Sequence, residues 1–387
     1  MTNYAQQITQ NYIKIAQDIN IATSFLSSFG NDISNLGDSL AKFYLESLQT
    51  KSNNILPVES IDWANLPYLV PGYFGEGKDV KFLSDLGTNG GFLMESTIEG
   101  SQQTCLSNDI DPKNNIVPKN LTLKNFHLVP NAKGTYWGAR LYNLLLVFED
   151  GIVQDMYGDT SKPEGHGLYT NPAFMQIIRR CVFKGNAANP IQSANRPWEA
   201  GSQFFCTYWE VSENKFIENH PANKPSDRAG FLVTNFGLGP ECVYLIENNT
   251  IQELNAQVIK DGVTYGSVGC FCSVPVTQPP GWWTGPAGWW APGQNTGKLL
   301  RIQGNQIVMR KPSQEVVWTH ANQRVEFVNN NLTFIDGIGN AAIQIDPLIM
   351  NQADTKSFLI AGNTGTPIPV FHKGILIGDT SKTLTFN

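Results

Sequence analysis

Three stretches with one shared pattern decide the fold: Ile246-Glu-Asn-Asn249-Thr-Ile251, Ile302-Gln-Gly-Asn305-Gln-Ile307 and Phe327-Val-Asn-Asn330-Asn-Leu332. Each places an asparagine three residues after one apolar residue and two residues before another. Val211-Ser-Glu-Asn214-Lys-Phe216 has the same spacing, and Phe183-Lys-Gly-Asn186 and Ile360-Ala-Gly-Asn363 are partial copies. The six asparagines are separated by 28, 35, 56, 25 and 33 residues, so the short unit is about 25 residues and the longer ones carry insertions.

A parallel β-helix explains this repeat. Each coil of such a fold contributes short strands whose side chains alternate between core and surface, and its corners need residues that tolerate a left-handed backbone. Asparagine and glycine adopt that conformation at low cost, and stacked asparagines can bond one another from coil to coil. A β-sandwich or propeller is the alternative, but it should be rich in two-residue hairpin turns, and the candidates are few: Asp150-Gly151, Asp261-Gly262 and Asp336-Gly337.

Composition excludes several classes of function. The 387 residues have a formal net charge of −6, which argues against a basic nucleic-acid or anionic-membrane surface. Charged residues make up 16%, while Gly (35) and Asn (37) are abundant, which is not typical of a helical enzyme. No apolar run approaches the roughly 18 residues of a membrane helix, so we expect no membrane insertion.

The N-terminal segment has a different periodicity. Apolar or small residues recur at alternating steps of four and three from Ile8 to Phe43, as in a heptad seam. We expect a helix to about Ser28, a break near Gly30 and a second helix to about Gln49. Self-association through this seam is the favoured interpretation, and a pair of helices folded back on their own chain is the alternative.

These patterns divide the chain into four segments. Residues 1–50 are predicted to form a helical stem, and residues 51–115 a linker and β-rich collar, because prolines and glycines separate short apolar stretches there. Residues 116–363 contain the repeat and are predicted to form the shaft, and residues 364–387 a β-rich C-terminal tip. The N-terminus lacks the features of a secretory signal, so we expect synthesis in a cytoplasm.

With its Asn-bearing coils and heptad stem, the chain resembles the trimeric tailspikes and tail fibres of bacteriophages. That resemblance implies an all-β fold, a right-handed parallel β-helix of the pectate-lyase type with a short N-terminal helical segment. It also implies a homotrimer in the virion tail, attached to other tail proteins through its N-terminus and binding a host surface glycan. One departure is that this chain has no Gly-Asp-Gly-x-x-Asp-Asp-Thr stretch, with which many such spikes begin the β-helix.

Two groups of carboxylates are candidates for catalysis. Glycoside hydrolysis needs two carboxyl groups about 5 to 10 Å apart, and a β-helix flank supplies such separations. The acidic stretch around Asp155, Asp159 and Glu164 is one candidate, although it also reads as a long solvated loop. The other is Glu210, which points outward if Val211 points into the core; its alternative is a solvated edge carboxylate.

A tryptophan-rich segment at residues 278–293 is the candidate for substrate binding. Its proline and glycine content excludes regular structure, so a loop is expected within the longest gap of the repeat. The indoles can stack on pyranose rings or pack against protein, within the chain or across a subunit interface. The residues concerned are Trp282, Trp283, Trp289 and Trp290.

Other chemistry has little support. The five histidines lie near no Gly-x-Ser-x-Gly elbow, zinc-ligand spacing is absent, and no cofactor fingerprint occurs, so no metal or cofactor is expected. The cysteines are expected to be mostly buried thiols, with a metal-ligand pair at Cys270 and Cys272 as the alternative. Three functions remain: a polysaccharide depolymerase (glycosidase or lyase), a binding-only adhesin or structural fibre, and a cellular enzyme of the pectinase type.

Overall fold

The structure is a computed structural model, and it describes part of the chain. The described residues are 82–83, 93–94, 97–99, 104–107, 121–130, 132–158, 164–194, 208–221, 223, 226, 230–236, 242–256, 258–260, 263–265, 268–274, 297–320, 322–347 and 355–386. The predicted helical stem at residues 1–50 lies outside them, as does much of the predicted collar.

Regular structure in the described residues consists of thirty β-strands without a helix, which confirms the all-β class. Nor do these residues include a helix of the length and apolarity that a bilayer requires. The first ten strands are β1 (Phe82–Leu83), β2 (Leu93–Met94), β3 (Thr97–Glu99), β4 (Thr104–Ser107), β5 (Leu121–Lys124), β6 (His127–Val129), β7 (Trp137–Glu149), β8 (Ile152–Gln154), β9 (His166–Arg179) and β10 (Val182–Lys184).

Twenty further strands follow along the chain. Ten of them are β11 (Ile191–Ala194), β12 (Tyr208–Ser212), β13 (Lys215–Ile217), β14 (Phe231–Phe236), β15 (Val243–Glu247), β16 (Thr250–Glu253), β17 (Val258–Lys260), β18 (Val263–Tyr265), β19 (Gly269–Val274) and β20 (Gly297–Gln303). The last ten are β21 (Gln306–Met309), β22 (Val317–Thr319), β23 (Asn322–Val328), β24 (Asn331–Phe334), β25 (Ile343–Ile345), β26 (Ser357–Ala361), β27 (Thr364–Gly365), β28 (Pro369–His372), β29 (Ile375–Asp379) and β30 (Leu384–Phe386).

Most of these strands pair in parallel and form three ladders. Ladder 1 contains β5, the second half of β7 and of β9, β12, β15, β20, β23 and β26. Ladder 2 runs through β3, β6, β8, β10, β13, β16, β21, β24 and β27. Ladder 3 contains β4, the first half of β7 and of β9, β11, β14, β19, β22, β25 and β28.

The chain visits the ladders in a fixed order, from ladder 1 to ladder 2 to ladder 3, and then returns to ladder 1 one strand further along. This connectivity is compatible with the predicted parallel β-helix. The parallel pairing already includes Thr97–Glu99, ahead of the predicted shaft boundary at residue 116. At the C-terminal end, β29 and β30 pair antiparallel with β28 and β26, so they cover the last strands of ladders 3 and 1.

The corner between ladders 1 and 2 is the same in every described coil. It has two residues, of which the first has a left-handed backbone with φ between 52° and 67°. Asn, Asp and Gly hold most of these first positions because they tolerate that conformation best. The second residue is turned inward, and from Asn214 onward it is always asparagine.

The inward asparagines form a continuous hydrogen-bonded ladder. The side-chain Nδ2 of each donates to the Oδ1 of the asparagine in the next coil at 2.9 to 3.2 Å, and its backbone N donates to the same oxygen at 2.9 to 3.0 Å. Nδ2 also donates to a backbone carbonyl of the preceding coil. The predicted ladder is thus confirmed for Asn214, Asn249, Asn305, Asn330 and Asn363.

Asn186 is an exception to this prediction. The equivalent position in its coil is Cys181, whose backbone N donates to Asn214 Oδ1 at 2.9 Å. Asn186 lies instead at the corner between ladders 2 and 3, where its Nδ2 donates to Asn219 Oδ1 at 2.9 Å. Asn219 Nδ2 in turn donates to Glu253 Oε1 at 2.8 Å, so a second, shorter amide ladder ends on a carboxyl group. At both corners, between ladders 1 and 2 and between ladders 2 and 3, an apolar residue lies three positions before the asparagine. The sequence pattern therefore does not distinguish the two corners.

The space between the ladders is filled by residues that alternate with surface positions. The ladder 2 strands from β6 to β24 each contribute at least one fully buried apolar side chain, and those of Phe183 and Phe216 stack with ring centroids 5.2 Å apart. On ladder 1, Trp209 stacks on Tyr244 at 4.9 Å. The described cysteines are buried free thiols, as predicted: Cys105, Cys181, Cys242, Cys270 and Cys272.

Replacing Asn305 by alanine tests the asparagine ladder. The substitution leaves two buried donors of Asn249 without an acceptor, so we expect the free energy of unfolding to fall by about 3 kcal/mol. Denaturant unfolding measures this change. Asn331→Ala is the matched control, because its side chain lies on the outside, and a loss below about 0.5 kcal/mol is expected. Equal losses in the two variants would contradict a stabilising ladder.

Glu253 predicts a pH dependence of stability. Burial raises the pKa of this carboxyl well above its usual value, and its Oε2 is a buried atom without a hydrogen bond. The folded state therefore binds the proton more tightly than the unfolded state does, and stability falls as the pH rises above about 4.3. Glu253→Gln should reduce this fall, making the variant more stable than the parent at about pH 8 in urea unfolding. A parent stability that rises over this range would contradict the buried acid.

Candidate functional site

The outer face of ladder 1 carries the site, and strand β12 shows how the alternation builds it. Trp209 and Val211 are fully buried, while Tyr208 and Glu210 are partly exposed on the opposite face. This confirms the predicted outward orientation of Glu210. The alternation ends at Glu213, which is exposed because it occupies the left-handed position of the corner.

Two hydroxyl groups fix the carboxylate of Glu210. Tyr208 Oη donates to its Oε2 at 2.9 Å, and Ser212 Oγ donates to its Oε1 at 2.5 Å. All three side chains belong to one strand and alternate with its buried residues. Burial raises the pKa of Tyr208 and the charge of Glu210 adds to this, so the phenol stays protonated and remains a donor.

A second carboxyl, Glu247, lies on the next strand of the ladder. Leu245 is opposite Glu210 in the register and Glu247 is opposite Ser212, so Glu247 is the diagonal neighbour of Glu210. From strand spacing and rise per residue, the two Cα atoms are about 8 Å apart. Partial burial raises the pKa of Glu247; the charge of Arg301 opposes this, and those of Glu210 and Glu326 add to it.

Arginine–carboxylate clusters flank this pair along the ladder. On one side Arg179 Nε lies 2.9 Å from Glu149 Oε1. On the other side Arg301 Nε lies 2.6 Å from Glu326 Oε2 and Arg324 Nε 2.5 Å from its Oε1. Burial acts to raise the pKa of Glu326, but the hydrogen bonds from Arg324 and Arg301 outweigh it and hold that pKa below its usual value.

Together these groups form what we call the charged stripe: Glu149, Arg179, Glu210, Glu247, Arg301 and Glu326. The stripe crosses six strands of ladder 1, from β7 to β23, which is about 24 Å. Its arginines are paired with the carboxylates at the two ends. Glu210 and Glu247 at the centre are therefore the carboxyl groups placed to act on a bound molecule.

The two carboxyl groups differ in their surroundings. Glu247 keeps its proton to higher pH, and Glu210 is oriented by two donors. One group is thus suited to give up a proton and the other to accept one. Inverting glycosidases use an acid and a base whose carboxyl groups are about 6.5 to 9.5 Å apart, whereas the distance of about 8 Å given above joins Cα atoms.

Asp155 lies in a turn between two ladders, where its role is structural. Its φ of 58° places it at a left-handed turn between ladders 2 and 3. A Cβ at Gly185 of the next coil would collide with its Oδ1, so the following turn packs directly on this carboxylate. Asp155 is thus held in the turn, whereas the predicted partner Glu164 is partly exposed and the third member, Asp159, lies outside the described residues.

The four predicted sugar-stacking residues, Trp282, Trp283, Trp289 and Trp290, also lie outside the described residues. The strands on either side place the two ends of their segment. Strand β19 of ladder 3 ends at Val274 and strand β20 of ladder 1 begins at Gly297.

Sequence reasoning missed Glu247 and Arg301, although the signal was in the repeat. Aligning the coils on their asparagines puts Ser212, Glu247 and Gln303 at one position, two residues before each asparagine. Glu210 and Arg301 then share the position two residues earlier. Such an alignment places all of these residues on one outer face. Tyr208 was missed because its role depends on its contact with Glu210.

Among the described residues, no group of three or more His, Cys, Asp or Glu side chains is arranged to hold a metal ion. The alternative of a metal-ligand pair at Cys270 and Cys272 gains no support, since burial raises the pKa of both thiols and keeps them protonated.

Comparison with protein families, with curated proteins and with solved structures gives no significant match to this chain. What the chain does is therefore inferred from its own residues and their geometry.

The pKa of Glu247 tests the electrostatics of the stripe. Glu210→Gln removes a neighbouring negative charge and should lower that pKa, whereas Arg301→Gln removes a positive charge and should raise it. An NMR titration of the ¹³C-labelled glutamate carboxyls measures both changes. Asp336→Asn, in the exposed turn after β24, is the control and should leave the titration of Glu247 unaltered. A shift of the same sign in both stripe variants would show that the charges do not interact as described.

Proposed function

We propose that this chain is a bacteriophage tailspike whose shaft recognises a host surface polysaccharide. In this proposal the three ladders form a right-handed parallel β-helix of the pectate-lyase type. Residues 1–50 join three copies and attach them to other tail proteins in the virion, which is assembled in the host cytoplasm. The observation that carries the proposal is the charged stripe on the outer face of ladder 1.

The shape and chemistry of the stripe favour an extended polymer as ligand. It follows the long axis of the ladder for about 24 Å, which is longer than a single sugar residue needs. The carboxylate and guanidinium groups of the stripe, and the hydroxyls of Tyr208 and Ser212 beside Glu210, are hydrogen-bonding partners for sugar hydroxyls. In this proposal the indoles of the tryptophan segment, which follows β19 and precedes β20 in the chain, add stacking contacts with pyranose rings.

Hydrolysis is the second candidate activity, and the pairing of Glu247 with Glu210 favours it. Glu247 acts as general acid and transfers its proton to the glycosidic oxygen as the bond to the anomeric carbon breaks. Glu210 acts as general base and takes a proton from the water that attacks this carbon from the opposite side. Glu247 gives up one proton and Glu210 gains one, so the hydrogen and the hydroxyl of the water are divided between the two sugar products. Because the water attacks from the side opposite the leaving group, the configuration at the anomeric carbon is inverted.

Incubating the full chain with capsular and O-antigen polysaccharides of candidate hosts tests both levels of the proposal. We expect a particle of three times 42.8 kDa by light scattering, binding of one polysaccharide, and release of reducing ends. Glu247→Gln should lower turnover about a thousandfold and spare binding, because general acid catalysis typically contributes a factor of that order. Glu210→Gln should do the same.

Glu213→Gln is the matched control, since this exposed residue follows the same strand but lies in the corner. It should leave both binding and turnover unchanged. Binding without reducing-end release in the parent would support a binding-only adhesin and exclude the hydrolytic role of Glu247. If turnover were lost in Glu164→Gln and kept in Glu247→Gln, the site would lie in the acidic stretch. Absence of binding to any polysaccharide, in a monomeric chain, would contradict the tailspike function.

A further inference from the structure

One end of the charged stripe has more positive than negative charge. Arg301 on β20 and Arg324 on β23 both donate through Nε to the carboxylate of Glu326, at 2.6 Å to its Oε2 and at 2.5 Å to its Oε1. This carboxyl stays ionised, because the two hydrogen bonds lower its pKa. Two guanidinium charges therefore face one carboxylate charge. We call Arg301 and Arg324 the arginine pair.

The opposite end of the stripe is balanced. Arg179 Nε lies 2.9 Å from Glu149 Oε1. In the adjoining corner, Arg180 donates to Asp150 Oδ1 at 2.7 Å and to its Oδ2 at 3.3 Å. Two guanidinium groups thus face two carboxylates at this end. The charges of the stripe are therefore unequal along its length, with the positive excess at β20 and β23.

The arginine pair also has unused hydrogen-bond donors. A guanidinium has N–H donors on Nε and on both Nη atoms. Among the described residues, each member of the pair bonds only Glu326 and does so only through Nε. The two side chains are 32% and 44% exposed, compared with 11% for Glu326. Both Nη groups of each arginine therefore remain for a molecule that binds to the outer face.

The register places the arginine pair next to the central carboxyl groups. Arg301 is opposite Leu245, so it is the diagonal neighbour of Glu247 on the following strand. The charge of Arg301 acts on Glu247, whose pKa it opposes raising. Arg324 lies one strand further along the ladder. The pair is thus one to two strands from Glu247, or about 5 to 10 Å, which is the position of an adjoining sugar unit in a bound polymer.

We propose that the arginine pair binds the carboxylate of an acidic sugar, so that the polymer recognised by the stripe is an acidic polysaccharide. This inference rests on the proposed recognition of a polysaccharide and specifies its chemical class. The planar donors of arginine match the two oxygens of a carboxylate, and hydrogen bonds between charged groups are the stronger ones. The excess positive charge favours such a ligand over a neutral sugar.

The other charges of the stripe restrict where the acidic sugar can lie. A carboxylate bound at the centre would meet the like charge of Glu210, which is unfavourable. The formal net charge of −6 likewise opposes an anionic polymer away from the arginine pair. A repeating unit that combines acidic and neutral sugars fits this arrangement, because its neutral sugars can occupy the centre. The arginine pair would then fix the register of the polymer on the stripe.

Carboxyl reduction of the polymer tests the acidic class directly. The probes are purified capsular polysaccharides of candidate hosts whose repeating unit contains a uronic acid, each paired with the same polymer after chemical reduction of its carboxyl groups. Neutral O-antigen polysaccharides complete the set. Calorimetric titration of the full chain measures the dissociation constants. We expect reduction to raise the dissociation constant about tenfold or more, as does the loss of a hydrogen bond between charged groups.

Arg324→Gln assigns this effect to the arginine pair. The variant should bind the native polymer about tenfold more weakly and the reduced polymer as the parent does, so the two changes are non-additive. Arg324 is the more exposed member, and Glu326 keeps its bond to Arg301, so folding should be unaffected. Arg180→Gln is the matched control, because it removes the same charge from the balanced end. It should leave both dissociation constants unchanged.

The outcomes separate this inference from the function on which it rests. Equal binding of native and reduced polymers, or binding of neutral polysaccharides alone, would overturn the acidic-sugar site and leave the proposed polysaccharide recognition unaffected. Equal weakening of both polymers in Arg324→Gln would also overturn it, since the arginine would then not act through the carboxylate. Absence of binding to every polysaccharide tested would contradict both the acidic-sugar site and the proposed recognition.

Discussion

One hydrogen-bonding pattern organises this molecule from Asn214 onward: at the corner between ladders 1 and 2, each asparagine side chain accepts from the coil before it, and all but the last donate to the coil after it. The asparagine side chain does both, and four of the five ladder members are fully buried. The two-residue corner with its left-handed first residue also occurs in the coils that have Phe126, Gly151 or Cys181 at the inward position. The asparagines therefore bond across a corner whose backbone is already defined.

A corner of constant length also determines the outer surface. It keeps the strands of ladder 1 in register, so equivalent positions lie one above the other at the spacing of the strands. Outward residues two positions apart along the chain, such as Glu210 and Ser212 or Arg301 and Gln303, therefore become neighbours of Glu247. Burial raises the pKa of Glu247, and the stacking brings the charges of Arg301, which opposes this, and of Glu210 and Glu326, which add to it.

The sequence was informative where one residue type has one physical role. The asparagine repeat predicted the amide ladder, and the alternation around Val211 predicted the outward direction of Glu210. It was misleading at Asn186, because an apolar residue followed by asparagine suits two different corners. The sequence did not reveal Glu247 as the neighbour of Glu210. This neighbour is set by the register between two coils that are 35 residues apart in sequence, and the local pattern contains no information about the next coil.

The two antiparallel strands at the C-terminal end, β29 and β30, have a consequence for association between molecules. Parallel ladders end in open strand edges that would template further chains, as fibrils do. These strands close ladders 1 and 3 with pairing of the opposite direction, so a further parallel strand cannot be added to either ladder at that end. Growth of these two ladders from one molecule into the next is therefore blocked there.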